Sequence, residues 1–194
     1  MLLPNYTIDE RGSITAMFKA KGVDSFGEAG AFVKSIPYGR NGNKDDVFAV
    51  FSDNCGTCST KHALLKRLAD ELGLEEVELV TGIYKMNRAN TPGIGDVLER
   101  NGLEYLPEAH NYLKLEQERF DFTFPYAKGN LFKEELLAET VIEPHQIGDY
   151  KVKLHKSFLE QWLLDNKAIN LSPAALWEIR EECIVALSQT TDSR

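Results

Sequence analysis

Cysteine is scarce in this chain, with three residues in 194, at positions 55, 58 and 183. Three are too few for a disulfide framework, so free thiols are expected. Positive charge is also in short supply. Thirty acidic side chains outnumber 22 Lys and Arg, for a net charge of −8. No basic cluster or stripe breaks this pattern, which argues against broad electrostatic binding to nucleic acid. There is no apolar run of the ~20 residues needed to span a bilayer. The first residues, Met1-Leu2-Leu3-Pro4-Asn5-Tyr6, meet Asp9 and Glu10 too soon for the apolar region of a secretion signal. A cytoplasmic protein with reduced thiols, and with no membrane or nucleic-acid partner, is the expectation. Internal repeats and low-complexity tracts are lacking too, so the length predicts a single domain over 1–194.

Local patterns place the elements. Residues 12–20 read as a short helix with Ile14, Met17 and Phe18 on one side. Ser25-Phe26-Gly27-Glu28 is a capping box that opens a second helix, which Pro37 ends. The Gly- and Asn-rich stretch 38–46 is a loop. The apolar run Val47-Phe48-Ala49-Val50-Phe51 is expected to be a strand. A helix then runs from the first two cysteines to Leu72, buries Leu64, Leu65, Leu68, Ala69 and Leu72, and stops at Gly73. Residues 77–84 alternate as a strand. An irregular insertion, 87–106, surrounds a short helix at 97–99. A hairpin joins 110–115 to 119–124 through Glu116-Gln117-Glu118, and a short strand follows at 140–142. Two helices close the chain, at 152–164 and from Ser172-Pro173, as a helical extension over 150–190. Early helix–strand alternation and a late hairpin predict an α+β fold.

The stretch that invites chemistry is Asn54-Cys55-Gly56-Thr57-Cys58-Ser59-Thr60-Lys61-His62, at the start of the central helix. The positive end of a helix dipole favours thiolate over thiol. Three readings compete. The first joins Cys58 to His110 and Asp121. A cysteine nucleophile needs an imidazole partner, and that imidazole needs an orienting acceptor. Neighbouring strands lie ~4.8 Å apart, so a hairpin can set His110 beside Asp121. Taken singly, His110 is an ordinary surface histidine and Asp121 a turn carboxylate; their order along the chain favours catalysis.

The second reading makes Cys55 and Cys58 a redox pair, since a strand, Cys-x-x-Cys and a long helix is the local pattern of a thioredoxin-like oxidoreductase. No Trp precedes Cys55, and this reading leaves His110 and Asp121 without a role. The third treats Cys55, Cys58 and His62 as metal ligands. A structural zinc site takes four ligands, and no second cysteine pair is present, so neither a metal nor another cofactor is expected. Elsewhere, Cys183 reads as a buried, inert thiol among Ile179, Ile184 and Leu187. Trp162 and Trp177 pack on the closing helices, His145 and His155 lack a partner pattern, and Gly93 and Gly95 do not form a phosphate loop.

The order of segments resembles the transglutaminase-like superfamily, part of the papain-like cysteine-enzyme class. The resemblance rests on Gly56-Thr57-Cys58, the helix through Ala63-Leu64-Leu65 to Gly73, His110-Asn111-Tyr112-Leu113, and Arg119-Phe120-Asp121-Phe122-Thr123. Ile36-Pro37-Tyr38 upstream adds to it, and the match covers a core of about 25–125. Thr60 and Lys61 stand where the family often has Asp or an aromatic residue, and Tyr112 where it often has Trp. The resemblance implies a central helix packed by its N-terminus on an antiparallel sheet, with C-terminal helices beyond. It implies Cys58 as nucleophile, His110 as its proton partner and Asp121 as the group orienting His110. The implied reaction is acyl transfer through a thioester on a protein, peptide or small amide, by hydrolysis or by cross-linking. The backbone N–H of Cys58 and the side chain of Asn54 are candidate oxyanion donors, with His62 and Tyr112 as cleft candidates. A non-catalytic binding member of the fold is the remaining alternative.

Overall fold

The structure, a computed structural model, describes residues 3, 5–124 and 131–191. Among them, seven α-helices and a four-stranded antiparallel sheet make an α+β protein. The first helix, α1 (Ser13–Ala20), buries Ile14 and Phe18. Its N-terminus is capped from far along the chain, where the Glu71 carboxylate accepts the N–H groups of Ile14 and Thr15 at 3.0 and 2.7 Å. Gly12 makes that approach possible, since a Cβ there would lie 2.4 Å from the Glu71 carboxyl carbon. The next helix, α2 (Phe26–Ser35), carries the expected capping box. Ser25 accepts the N–H of Glu28, and the Glu28 carboxylate accepts the N–H of Ser25.

Residues 47–51 do not form the expected strand. They lead into a helical turn, α3 (Ala49–Ser52). The Asp46 carboxylate accepts the N–H of Phe48, and the Ala49 N–H reaches the Asp46 carbonyl. A short apolar run has no periodicity of its own, and this polar start tips it to helix. The central helix, α4 (Cys58–Leu72), has Thr57 as N-cap and ends on Gly73, whose φ of +73° suits glycine. Its buried face packs against α1, α2 and α3.

The remaining elements are β1 (Val77–Met86), α5 (Gly95–Arg100), β2 (Leu106–Leu115), β3 (Glu118–Phe120), β4 (Leu136–Val141), α6 (Asp149–Asp165) and α7 (Pro173–Thr191). The sheet order is β3-β2-β1-β4. β2 and β3 are antiparallel, with Leu113 opposite Phe120 and Leu115 opposite Glu118. The connecting turn is shorter than expected, since Glu118 already belongs to β3, and Glu116 takes a left-handed φ of +54°. β3 ends at Phe120 rather than running on to 124. The Asp121 carboxylate captures the N–H and hydroxyl of Thr123, and this local turn competes with the ladder.

The chain divides into two compact units. The first comprises Met1–Thr81, His110–Asn130 and Thr140–Gly148, with a core that includes Phe18, Phe26, Leu65, Leu68, Leu79 and Leu113. The second comprises Gly82–Ala109, Leu131–Glu139 and Asp149–Arg194. There α7 packs on α5 and α6, Leu159 and Leu176 are buried, and the Trp162 indole donates to the Tyr105 hydroxyl at 2.9 Å. The 25–125 span draws on both units, and 150–190 lies in the second alone. Among the described residues, no helix is long and apolar enough to cross a membrane.

Candidate active site

The loop before α4 is organised by Asn41. Its amide nitrogen lies 3.1 Å from the Ala49 carbonyl, 2.9 Å from the Cys55 carbonyl and 3.1 Å from the Asp53 carboxylate. Its amide oxygen accepts the Thr60 hydroxyl at 2.7 Å. The chain turns at Asn54, which is exposed and left-handed, with φ +50°. Gly56 then bridges to the segment after α2, accepting from the Gly39 N–H and donating to the Pro37 carbonyl. A Cβ at Gly56 would lie 2.9 Å from Cγ of Lys61. Glycine two residues before Cys58 is thus a packing requirement, imposed by a lysine stem.

That lysine is fully buried. Its ammonium donates to the carbonyls of Ile36 and Thr123, and so joins the end of α2 to the segment after β3. Burial brings Lys61 down to about 8, against the opposing pull of Asp121, Cys55 and Cys58.

Cys58 is the first residue of α4 and is half-buried. Ser59, beside it, donates to Asn111 on β2 at 3.1 Å. Asn111 in turn donates to the Thr81 hydroxyl at 3.0 Å, which ties the start of α4 to β1 and β2. His110 stands on β2. Its Nε2 lies 3.0 Å from Oδ2 of Asp121, and its ring is hydrogen-bonded to the Cys58 side chain. Burial alone would lower the His110 imidazolium, but the Asp121 carboxylate and the Cys58 sulfur outweigh it and bring it up to about 10. The other oxygen of Asp121 accepts the Thr123 N–H at 2.9 Å and the Thr123 hydroxyl at 2.6 Å, which leaves Oδ2 for the imidazole. Burial works to raise the Asp121 carboxyl, yet the charge of His110 holds it far below the usual carboxylate range.

The structure therefore brings Cys58, His110 and Asp121 into one hydrogen-bonded array. The other sequence candidates lie around it in different ways. His62 is fully buried, with Nδ1 2.7 Å from the Cys58 carbonyl and Nε2 accepting the Phe122 N–H at 2.9 Å. Tyr112 is fully buried beside His110, ring centroids 6.2 Å apart. Asn54 is the turn residue described above. Cys55 precedes the helix with its sulfur 3.8 Å from the Arg40 carbonyl; burial and then Asp53 push its thiol up. None of the three cysteines is in a disulfide. No group of three or more His, Cys, Asp or Glu among the described residues is arranged to hold a metal ion.

Lys61, Asn111 and Thr123 are site neighbours to which the sequence reading gave no role. Lys61 had left a signal, because it falls in the buried stripe with Leu64, Leu65 and Leu68 at helical spacing. A second buried cluster was missed altogether. His155, expected without a partner, is buried with Nε2 2.8 Å from the Pro107 carbonyl and 3.9 Å from Glu108. Glu108 accepts two hydrogen bonds from Arg180, at 2.9 and 2.6 Å.

Fold and site together define an α+β protein with a half-buried thiol–imidazole–carboxylate array at a helix N-terminus. Comparisons with protein-family models, with curated proteins and with solved structures each find no match to this chain.

Proposed function

We propose that the protein is a transglutaminase-like, papain-class cysteine enzyme that transfers acyl groups from amide substrates through Cys58, His110 and Asp121. The observation that carries this reading is the hydrogen-bonded array itself, with the thiol at the first position of a helix and its imidazole held on a carboxylate. His110 Nε2 is engaged by Asp121, so Nδ1 is the ring nitrogen available to the thiol. With His110 kept as imidazolium through neutral pH, the resting pair is thiolate and imidazolium.

In the first half-reaction the Cys58 thiolate adds to the amide carbonyl carbon. The tetrahedral oxyanion is met by helix N-terminal N–H groups, that of Cys58 first. Collapse breaks the C–N bond; the amine leaves with the proton of His110, and a thioester remains on Cys58. Neutral His110 then takes a proton from water, or from an acceptor amine, as that group attacks. The acid or new amide departs, and thiolate and imidazolium are restored. Asp121 fixes the ring and stabilises its charged form throughout. The substrate class is a protein, peptide or small amide, and a reducing compartment such as the cytoplasm suits the thiol.

The redox alternative has less support. It needs Cys55 as a partner thiol, and the helix N-terminus and imidazole both serve Cys58, while burial and Asp53 disfavour the Cys55 thiolate.

The test is the pH profile of iodoacetamide alkylation at each cysteine, read by peptide mass spectrometry. Cys58 is expected to react well below pH 8 and to lose that advantage in His110→Ala, while Cys55→Ala leaves the Cys58 profile in place. An unchanged Cys58 profile in His110→Ala overturns the pair. Equal dependence of disulfide reduction on Cys55 and Cys58 would install the redox reading instead.

A further inference from the structure

His62 is the second histidine at the site, and its surroundings fix its chemistry. The Cys58 carbonyl can only accept a hydrogen bond, and the Phe122 N–H can only donate one. With Nδ1 2.7 Å from the first and Nε2 2.9 Å from the second, the ring is neutral and carries its proton on Nδ1. A second proton on Nε2 would face the Phe122 N–H in a fully buried place. The ring therefore cannot act as the acid or base of the reaction, nor can it donate to an oxyanion. It does span two backbones that the site must hold in register, the first residue of α4 and the residue after Asp121. The Nε2 of His62 lies 3.7 Å from Oδ1 of Asp121, the oxygen already bound to Thr123.

We infer that His62 is a positioning residue, a neutral imidazole that clamps the Cys58 carbonyl to the Phe122 N–H and so keeps Asp121 on His110. The inference rests on the acyl-transfer reading above. The segment after β3 has left the sheet ladder, so strand pairing does not place Asp121. Its position depends on the Thr123 turn, on the Lys61 ammonium at the Thr123 carbonyl and on the His62 clamp at Phe122. Both clamps come from consecutive residues of α4, three and four places after the nucleophile. The helix that presents the thiol thereby also sets the carboxylate that holds its imidazole.

Two conservative variants divide the clamp. In His62→Gln the longer amide reaches the Nε2 place and offers an oxygen to Phe122. In His62→Asn the shorter amide keeps the Nδ1 place and the Cys58 carbonyl, and abandons Phe122. The readout is the pH profile of Cys58 alkylation by iodoacetamide. The charged and titratable groups facing His110 and Asp121 are Cys58, Lys61 and His62 on α4, while Cys55 acts on Lys61. His62→Gln is expected to stay close to wild type. His62→Asn is expected to lose about tenfold in rate at pH 7, which corresponds to a thiolate limb displaced by about one pH unit. Its thiolate limb moves up in pH, as it does in Asp121→Asn, and the double variant shows no further shift. A folded His62→Asn with the wild-type profile, or effects that add in the double variant, would overturn the inference.

Wild-type protein supplies a measurement independent of folding in the variants. Nitrogen-15 correlation spectra of the imidazoles should show His62 as the neutral Nδ1–H form through neutral pH; the Nε2–H or doubly protonated form would sink the clamp. An alkylation profile that ignores His110→Ala fails the acyl-transfer reading itself. Profiles that answer to His110→Ala and Asp121→Asn but not to His62→Asn fail the clamp alone.

Discussion

Cysteine, histidine and a carboxylate meet in the first unit as Cys58, His110 and Asp121; in the second unit Glu108 lies beside His155, and its charge also reaches Cys183. The side chains are alike and the electrostatics are opposite. Asp121 gives one oxygen to a histidine, and His110 rises to about 10. Glu108 spends both oxygens on Arg180, which outweighs burial and holds it low. His155 is then left to burial and to the charges of Arg180 and Lys151, and it is lowered despite Glu108. Cys58 is half-buried at a helix start beside a cation, whereas Cys183 is fully buried mid-helix and is pushed up to about 11 by burial, Glu108 and Glu182. The same residue types thus stand in fields of opposite sign and with different access at the sulfur.

The largest effect expected from this contrast is in thiol reactivity. A thiol titrating near 11 is about one part in a thousand thiolate at pH 8. Cys58 should therefore be alkylated by orders of magnitude before Cys183 in the native protein, and at comparable rates in denaturant. Similar native rates would erase the distinction between the clusters. Next in size is stability. Arg180→Met leaves Glu108 buried without its cation and should cost about 3–5 kcal/mol in urea unfolding. Pairing it with Glu108→Leu should recover most of that loss, since a buried ion pair replaced as a whole is often near neutral. A mild single variant would show that Glu108 reaches water.

Stability against pH separates the three histidines by sign. His110 is raised in the folded state, so its contribution is complete below 6.5 and is lost as pH climbs from there through about 10. His62 and His155 are lowered, with His62 at about 4, so they oppose folding as pH falls below 6.5. The alkaline loss should shrink in Asp121→Asn while the acid-side loss from His155 remains, as measured by thermal unfolding across pH. Smaller effects test the frame around the first site. Gly56→Ala drives a Cβ into the Lys61 stem and should cost about 1–3 kcal/mol. Glu71→Ala removes the cap from α1 and should cost about 1 kcal/mol.

Much of this fold is local and could be read before any tertiary contact was known. The Ser25 capping box, the Gly73 stop, the Ser172-Pro173 start and the β-branched residues of β1 each act within a few residues, although β1 is buried at nearly every position rather than alternating. The run 47–51 was misread because five apolar residues carry no period, and the polar contact at Asp46 decided for helix. The hairpin was legible, but its second strand was drawn too long because the Asp121–Thr123 turn leaves no trace in hydrophobic pattern. Lys61 and His62 occupy buried positions of the helical repeat, so their burial was readable while their partners, some sixty residues on, were not.

The sequence by itself determined the helix that presents Cys58 and the strand that carries His110, because caps, stops and periodicity are short-range. Only the tertiary structure decided which histidine is raised and which thiol stands beside it. Those outcomes depend on which charged groups pack around each ring and each sulfur, and these are brought together across the fold, as with Arg180 on Glu108, 72 positions away along the chain.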